Sequence, residues 1–97
     1  MRYEYDDEFV TSGIDDIEIE KVENNVFIEI NEKLNITDEF YLEKLTIAKV
    51  YMELCRRNLE ANGMKDKYDI YKNDFDFYFK MATKTNGGIG NIPLVRG

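Results

Sequence analysis

Catalysis and metal binding need side chains of particular kinds brought to one point, and this sequence offers few of them. It holds no histidine and a single cysteine, Cys55. That removes the common imidazole base, the common nitrogen ligand and the cysteine-rich zinc arrangements. Carboxylates remain, in the close pairs Asp6 with Asp7, Asp15 with Asp16, and Asp74 with Asp76. Neighbours on a strand point to opposite faces, and residues two apart on a helix diverge by about 200°. Neither spacing presents two carboxylates to one divalent ion, and acid-base work would need a geometry that no motif here supplies. GGIG at residues 87 to 90 is glycine-rich, but a phosphate loop must lead into a helix whose first amides face the anion. Here Asn91, Ile92 and Pro93 follow, so the segment reads as a hinge to a tail. No catalytic residue, cofactor or metal site is expected, and the chain does not read as an enzyme.

The elements that carry these residues are better marked than any chemistry. Asn-Asn at positions 24 and 25 lies between Ile17, Ile19 and Val22 on one side and Val26, Ile28 and Ile30 on the other. Alternation across such a pair predicts a small β-hairpin within residues 14 to 35. The part from Ser12 to Val22 can equally be drawn as a short helix. A first long helix is predicted after Thr37 as its cap, with Asp38 and Glu39 in the first turn. Leu42, Leu45, Ala48 or Lys49, Met52, Cys55 and Leu59 trace one side and Ile47, Val50, Tyr51 and Leu54 a second, apolar one, and Asn62-Gly63 supplies the stop. A second helix is predicted from about Asp66 to Thr83 or Lys84. YDIYKNDFDFYFKMA, residues 68 to 82, holds six of the 13 aromatic residues. Tyr68, Tyr71, Phe75, Tyr78 or Phe79, and Ala82 trace one face, while Ile70, Phe77 and Met81 trace another. The rings therefore read as packing residues of an antiparallel helical hairpin.

The expected fold is mainly α: a helical hairpin core over residues 36 to 86, the small β-hairpin before it, and extended arms at both ends. The N-terminal arm, residues 1 to 13, is acidic and carries Tyr3, Tyr5 and Phe9. The C-terminal arm, residues 87 to 97, presents Ile92, Pro93, Leu94 and Val95 in succession, and Pro93 favours an extended course. Either arm could cover its own core or lie on a neighbouring subunit.

A chain of 97 residues forms one small domain that buries only about 60–65% of its unfolded surface. Partner subunits could supply the missing burial. Residues 1 to 35 hold eleven acids against three bases, a net of −8, while residues 36 to 97 hold nine against ten, a net of +1. Nonspecific grip on nucleic acid needs a concentrated basic surface, which this distribution lacks. Arg56 and Arg57, with Lys49, Lys65 and Lys67, form a small basic patch that could touch DNA in an assembly or meet the acidic segment of a next subunit. Lone Cys55 forms no internal disulfide and reads as a small buried hydrophobe of a chain made in the cytoplasm. No apolar run approaches a membrane span, and the acidic start is unlike a signal peptide.

The helical hairpin from Thr37 to Ala82 resembles the small head-to-tail connector, or adaptor, proteins of tailed bacteriophages. The likeness lies in chain size, in Leu45, Ala48 and Tyr51 spaced along the first helix, in the short loop, and in Tyr71, Phe75 and Tyr78 along an aromatic second helix. The resemblance implies a virion protein at the head-tail junction: a homo-oligomeric ring, twelve-fold, beneath the portal and joined to a tail or stopper protein. DNA would pass nearby without sequence-specific binding. It also implies that terminal arms make the attachments, here Tyr3, Tyr5 and Phe9 at one end and Ile92, Pro93, Leu94 and Val95 at the other. The β-hairpin departs from relatives that begin with further helix. The competing expectation is a small acidic binding or inhibitor protein that covers a basic site on its partner.

Overall fold

The computed structural model describes residues 1 to 86, so Ile92, Pro93, Leu94 and Val95 lie outside the described residues. The chain is mainly helical, and no strand occurs among the described residues. A short α1 (Glu8–Thr11) leads to α2 (Asp16–Ile28), which runs on into a π-helical turn, Glu29–Lys33. Then come α3 (Glu39–Arg56) and α4 (Met64–Asn86). None of these helices is long and apolar enough to cross a membrane.

The expected β-hairpin is a helix. Ile19, Val22, Val26 and Ile30 are buried while Ile28 and the Asn24-Asn25 pair face outward. Positions 22, 26 and 30 fit both patterns, because a step of four is an even number and also nearly one helical turn. Ile19 decides between them, since its three-residue step to Val22 is helical and places it on the same buried face. Tertiary contact with α3 then rewards the helix, and the asparagines sit on its wet side.

The π-helical turn ends this helix and reverses the chain. Leu34 N donates to Glu29 O at 3.0 Å and Ile36 N to Ile30 O at 3.1 Å, so both Ile30 and Ile36 enter the core. Asn35 between them adopts φ +58°, a left-handed conformation that asparagine tolerates. The Asn31 amide donates to Ile36 O at 3.1 Å and fixes the turn.

Helix α3 begins one residue later than its expected cap. Asp38, not Thr37, accepts from Phe40 N and Tyr41 N at 3.0 and 3.2 Å. Its Leu42, Leu45, Val50, Leu54 and Cys55 are all buried, because α3 is the central element, packed on α2 and on α4. Arg57 at its end pairs with Glu18 near the start of α2, and Arg56 bonds Tyr68 near the start of α4. Both neighbours thus run antiparallel to α3 and parallel to each other. The hairpin of α3 and α4 is as expected, with α4 starting two residues before Asp66. Tyr68, Tyr71, Phe75, Tyr78 and Phe79 pack against the core, which is where most of the rings go.

Candidate interaction surface

The structure brings none of the three carboxylate pairs to a common point. Asp7 is engaged elsewhere, Asp76 pairs with Lys72 at 3.1 Å, and Asp15 and Asp16 are exposed at the start of α2. No group of three His, Cys, Asp or Glu among the described residues is placed to hold a metal ion. The Cys55 thiol is buried, and burial, with the Asp7 charge beside it, pushes its pKa up and away from reactive thiolate.

What the N-terminal residues do form is a polar fastening. Glu23, on the inner side of α2, is only 1% exposed. Its carboxylate accepts from Arg2 N at 2.9 Å, Tyr3 N at 3.0 Å and the Tyr5 hydroxyl at 2.8 Å. A buried acid is tolerated because it is saturated with donors. Arg2 lays its guanidinium over the Phe27 ring, 3.7 Å from the centroid.

A second acid, Asp7, ties the same segment to α3 and α4. It accepts from Phe9 N at the start of α1, from the Lys67 ammonium at 2.9 Å and from the Tyr71 hydroxyl. Asp7 N donates to the Tyr51 hydroxyl at 2.9 Å, and the Tyr51 ring stacks on Tyr71 with centroids 4.3 Å apart. Burial works to raise the Asp7 carboxyl, but the bonds from Tyr71 and Lys67 outweigh it and hold its pKa below the usual value. Burial and the Asp7 bond push the Tyr71 hydroxyl far above its ordinary value, and burial and Glu23 do the same for Tyr5.

Of the interface residues expected from the sequence, Tyr3 and Tyr5 thus meet Glu23 of their own chain. Phe9 is half-exposed over Gly63, with Lys67 5.6 Å from its ring centroid. Arg57 meets Glu18 at 2.9 Å, and Arg56 meets Glu53 at 3.6 Å and Tyr68 at 3.2 Å. Of the basic patch, Arg57 and Lys67 engage the acidic segment within one molecule, while Lys49 and Arg56 pair with Glu53 and Lys65 with Asp69.

Compared with protein-family models, with curated proteins and with solved structures, the chain matches none of them. Its surface is therefore the guide to function.

Two apolar faces stand out there. On α4, Phe77 is 58% exposed and Ile70, two turns earlier on the same side, 52%. Phe40 from α3, 55% exposed, extends this face, because its ring and that of Phe77 both rest edge-on against Tyr78. On α2, Ile17 at 71% and Ile28 at 47% lie eleven residues, or three turns, apart on one side. Ile70 and Phe77 belong to the second apolar face that the sequence indicates on this helix. Ile17 and Ile28 escape the sequence reading because they look like inward residues of a hairpin. Their signal was available in the helical stripe 17, 21, 24, 28.

Proposed function

We propose that this protein is a structural subunit of a phage head-to-tail connector ring, docked beneath the portal around the DNA channel and joined to tail components. The observation that carries the reading is the exposed apolar face of α4 together with the exposed Ile17 and Ile28 on α2, on a domain with little apolar surface to spare. A subunit in a closed ring buries different surfaces against its two neighbours, and two separate faces supply that need. The resemblance of the sequence from Thr37 to Ala82 to connector proteins suggests the kind of ring. An all-helical start, in place of the β-hairpin, removes the one departure from that pattern noted in the sequence. The net charge of −7 also suits a passage for DNA, since a strongly basic lining would grip the polyanion.

The test is docking. The purified chain, incubated with the portal ring of the virus that encodes it, should add a ring of density beneath the portal in electron micrographs. A variant ending at Gly90, which lacks Ile92, Pro93, Leu94 and Val95, should dock more weakly. Failure of the full chain to dock would remove the connector reading.

The acidic binding-protein alternative draws on a cleft of about 480 Å³ between the N-terminal segment and α2, whose lining includes Glu4, Asp6 and Asp16. It predicts a one-to-one complex with a basic protein that weakens steeply with salt, and no self-assembly.

A further inference from the structure

Helices α2 and α4 pack on α3 and run parallel, and the outer face of each carries exposed apolar residues. On α2 the stripe is Ile17, Lys21, Asn24, Ile28; on α4 it is Ile70, Asp74, Phe77 and the turn beyond. Set side by side in the same direction, Ile17 falls beside Ile70 and Lys21 beside Asp74. Lys21 and Asp74 are both exposed, and neither has an ion-pair partner among the described residues. Residues 16 to 33 hold six acids against two bases, and residues 64 to 86 four against five. The two helices thus differ in net charge, and at the matched positions the α2 face offers Lys21 and the α4 face Asp74.

We infer that the α2 face of one copy packs in parallel on the α4 face of the next, with Ile17 against Ile70, Ile28 along the groove beyond Phe77, and Lys21 paired with Asp74. The occupant of each apolar face is thus a second copy of this chain. The contact is heterologous, since each copy offers α2 on one side and α4 on the other, and such a contact propagates until it closes into a ring or continues as a filament. A parallel arrangement follows if the rotation axis lies along the helices, because α2 and α4 already share a direction within each subunit. Parallel helices pack at about 8–10 Å, close enough for the isoleucines to interlock and the charges to meet. This inference names the partner of the faces on which the connector reading rests.

The experiment is sedimentation of the full chain at concentrations up to the millimolar range, with variants that spoil one face each. Ile17→Glu and Phe77→Glu lie at exposed positions, and their melting temperatures report whether each variant folds. Each alone should lose self-association. An equimolar mixture of the two should form a dimer that grows no further, because one chain keeps only its α4 face and the other only its α2 face. Lys21→Asp or Asp74→Lys should weaken association at least tenfold, and the two together in one chain should restore it. Association that survives Ile17→Glu but not Phe77→Glu would indicate a symmetric α4 contact and overturn the inference. So would a wild-type chain that stays monomeric throughout. Ile70→Glu repeats the α4 test if Phe77→Glu fails to fold. Docking to a portal ring is read separately: a chain that docks but does not pair α2 with α4 loses only this inference, and one that pairs but never docks loses only the connector reading.

Discussion

At the scale of single residues, the protein is held by two acids that the sequence alone shows as surface charge. Glu23 gathers three donors from residues 2, 3 and 5, and the loss of its carboxylate would leave two backbone amides without an acceptor. Glu23→Ala should therefore destabilise the fold by about 2–3 kcal/mol, since buried groups left unpaired cost about 1–3 kcal/mol each. In a thermal melt this is a fall of roughly 10–20 °C for a domain of this size. Asp7 adds a pH dependence. Its folded pKa is lowered, so its contribution is fully present above the unfolded value of about 3.9 and is lost as pH falls through the folded value. Denaturant titrations of wild type and Asp7→Asn between pH 2 and 6 should differ most at the upper end and converge as the solution becomes acid. Thr46 offers the opposite case: it is buried in α3 with a hydroxyl that has no hydrogen-bond partner among the described residues. Thr46→Val should raise the melting temperature by several degrees, because relief of an unsatisfied polar atom is worth about 1 kcal/mol.

At the scale of elements, the turns carry the most specific constraints. Gly13 and Gly63 both have positive φ, +80° and +87°. A Cβ at Gly13 meets nothing within 4 Å, whereas one at Gly63 lies 3.0 Å from the Phe9 ring. Gly13→Ala should cost only the conformational penalty, about 1–2 kcal/mol. Gly63→Ala should cost more, and Phe9→Ala in the same chain should reduce that difference, as a double-mutant cycle of unfolding free energies would reveal. The Phe9 ring is thus part of how the turn between α3 and α4 is closed. This is also the element scale at which the sequence misleads about residues 14 to 35. Val22, Val26 and Ile30 satisfy either period, and the choice rests on what the segment packs against, which is α3.

At the scale of the whole molecule, α2 depends on the N-terminal segment more than on its own ends. Asp15 makes no side-chain cap, and the bonds of Arg2, Tyr3 and Tyr5 hold α2 from within. Removal of residues 1 to 7 should lower hydrogen-exchange protection across residues 16 to 33 while leaving the centres of α3 and α4 protected. Such a chain should also lose the proposed pairing, because the α2 face would no longer be rigid. With the polar fastening intact, the molecule presents two stiff helices facing outward from a shared centre, a shape suited to neighbours on both sides.

The sequence by itself determined the hairpin of α3 and α4, the packing role of most of the rings, the buried Cys55 and the second apolar face of α4. Each follows from helical spacing sustained over several turns and stopped by Gly, and such signals are local, although the cap of α3 is Asp38 and not the expected Thr37. Only the tertiary structure decided that residues 16 to 33 are helical, that Glu23 and Asp7 fasten the first residues in place, and that Ile17 and Ile28 face outward. Those outcomes depend on partners 18 to 64 residues away along the chain. A local pattern cannot tell an acid that will be wet from one that will find three donors, because the donors are supplied by the fold.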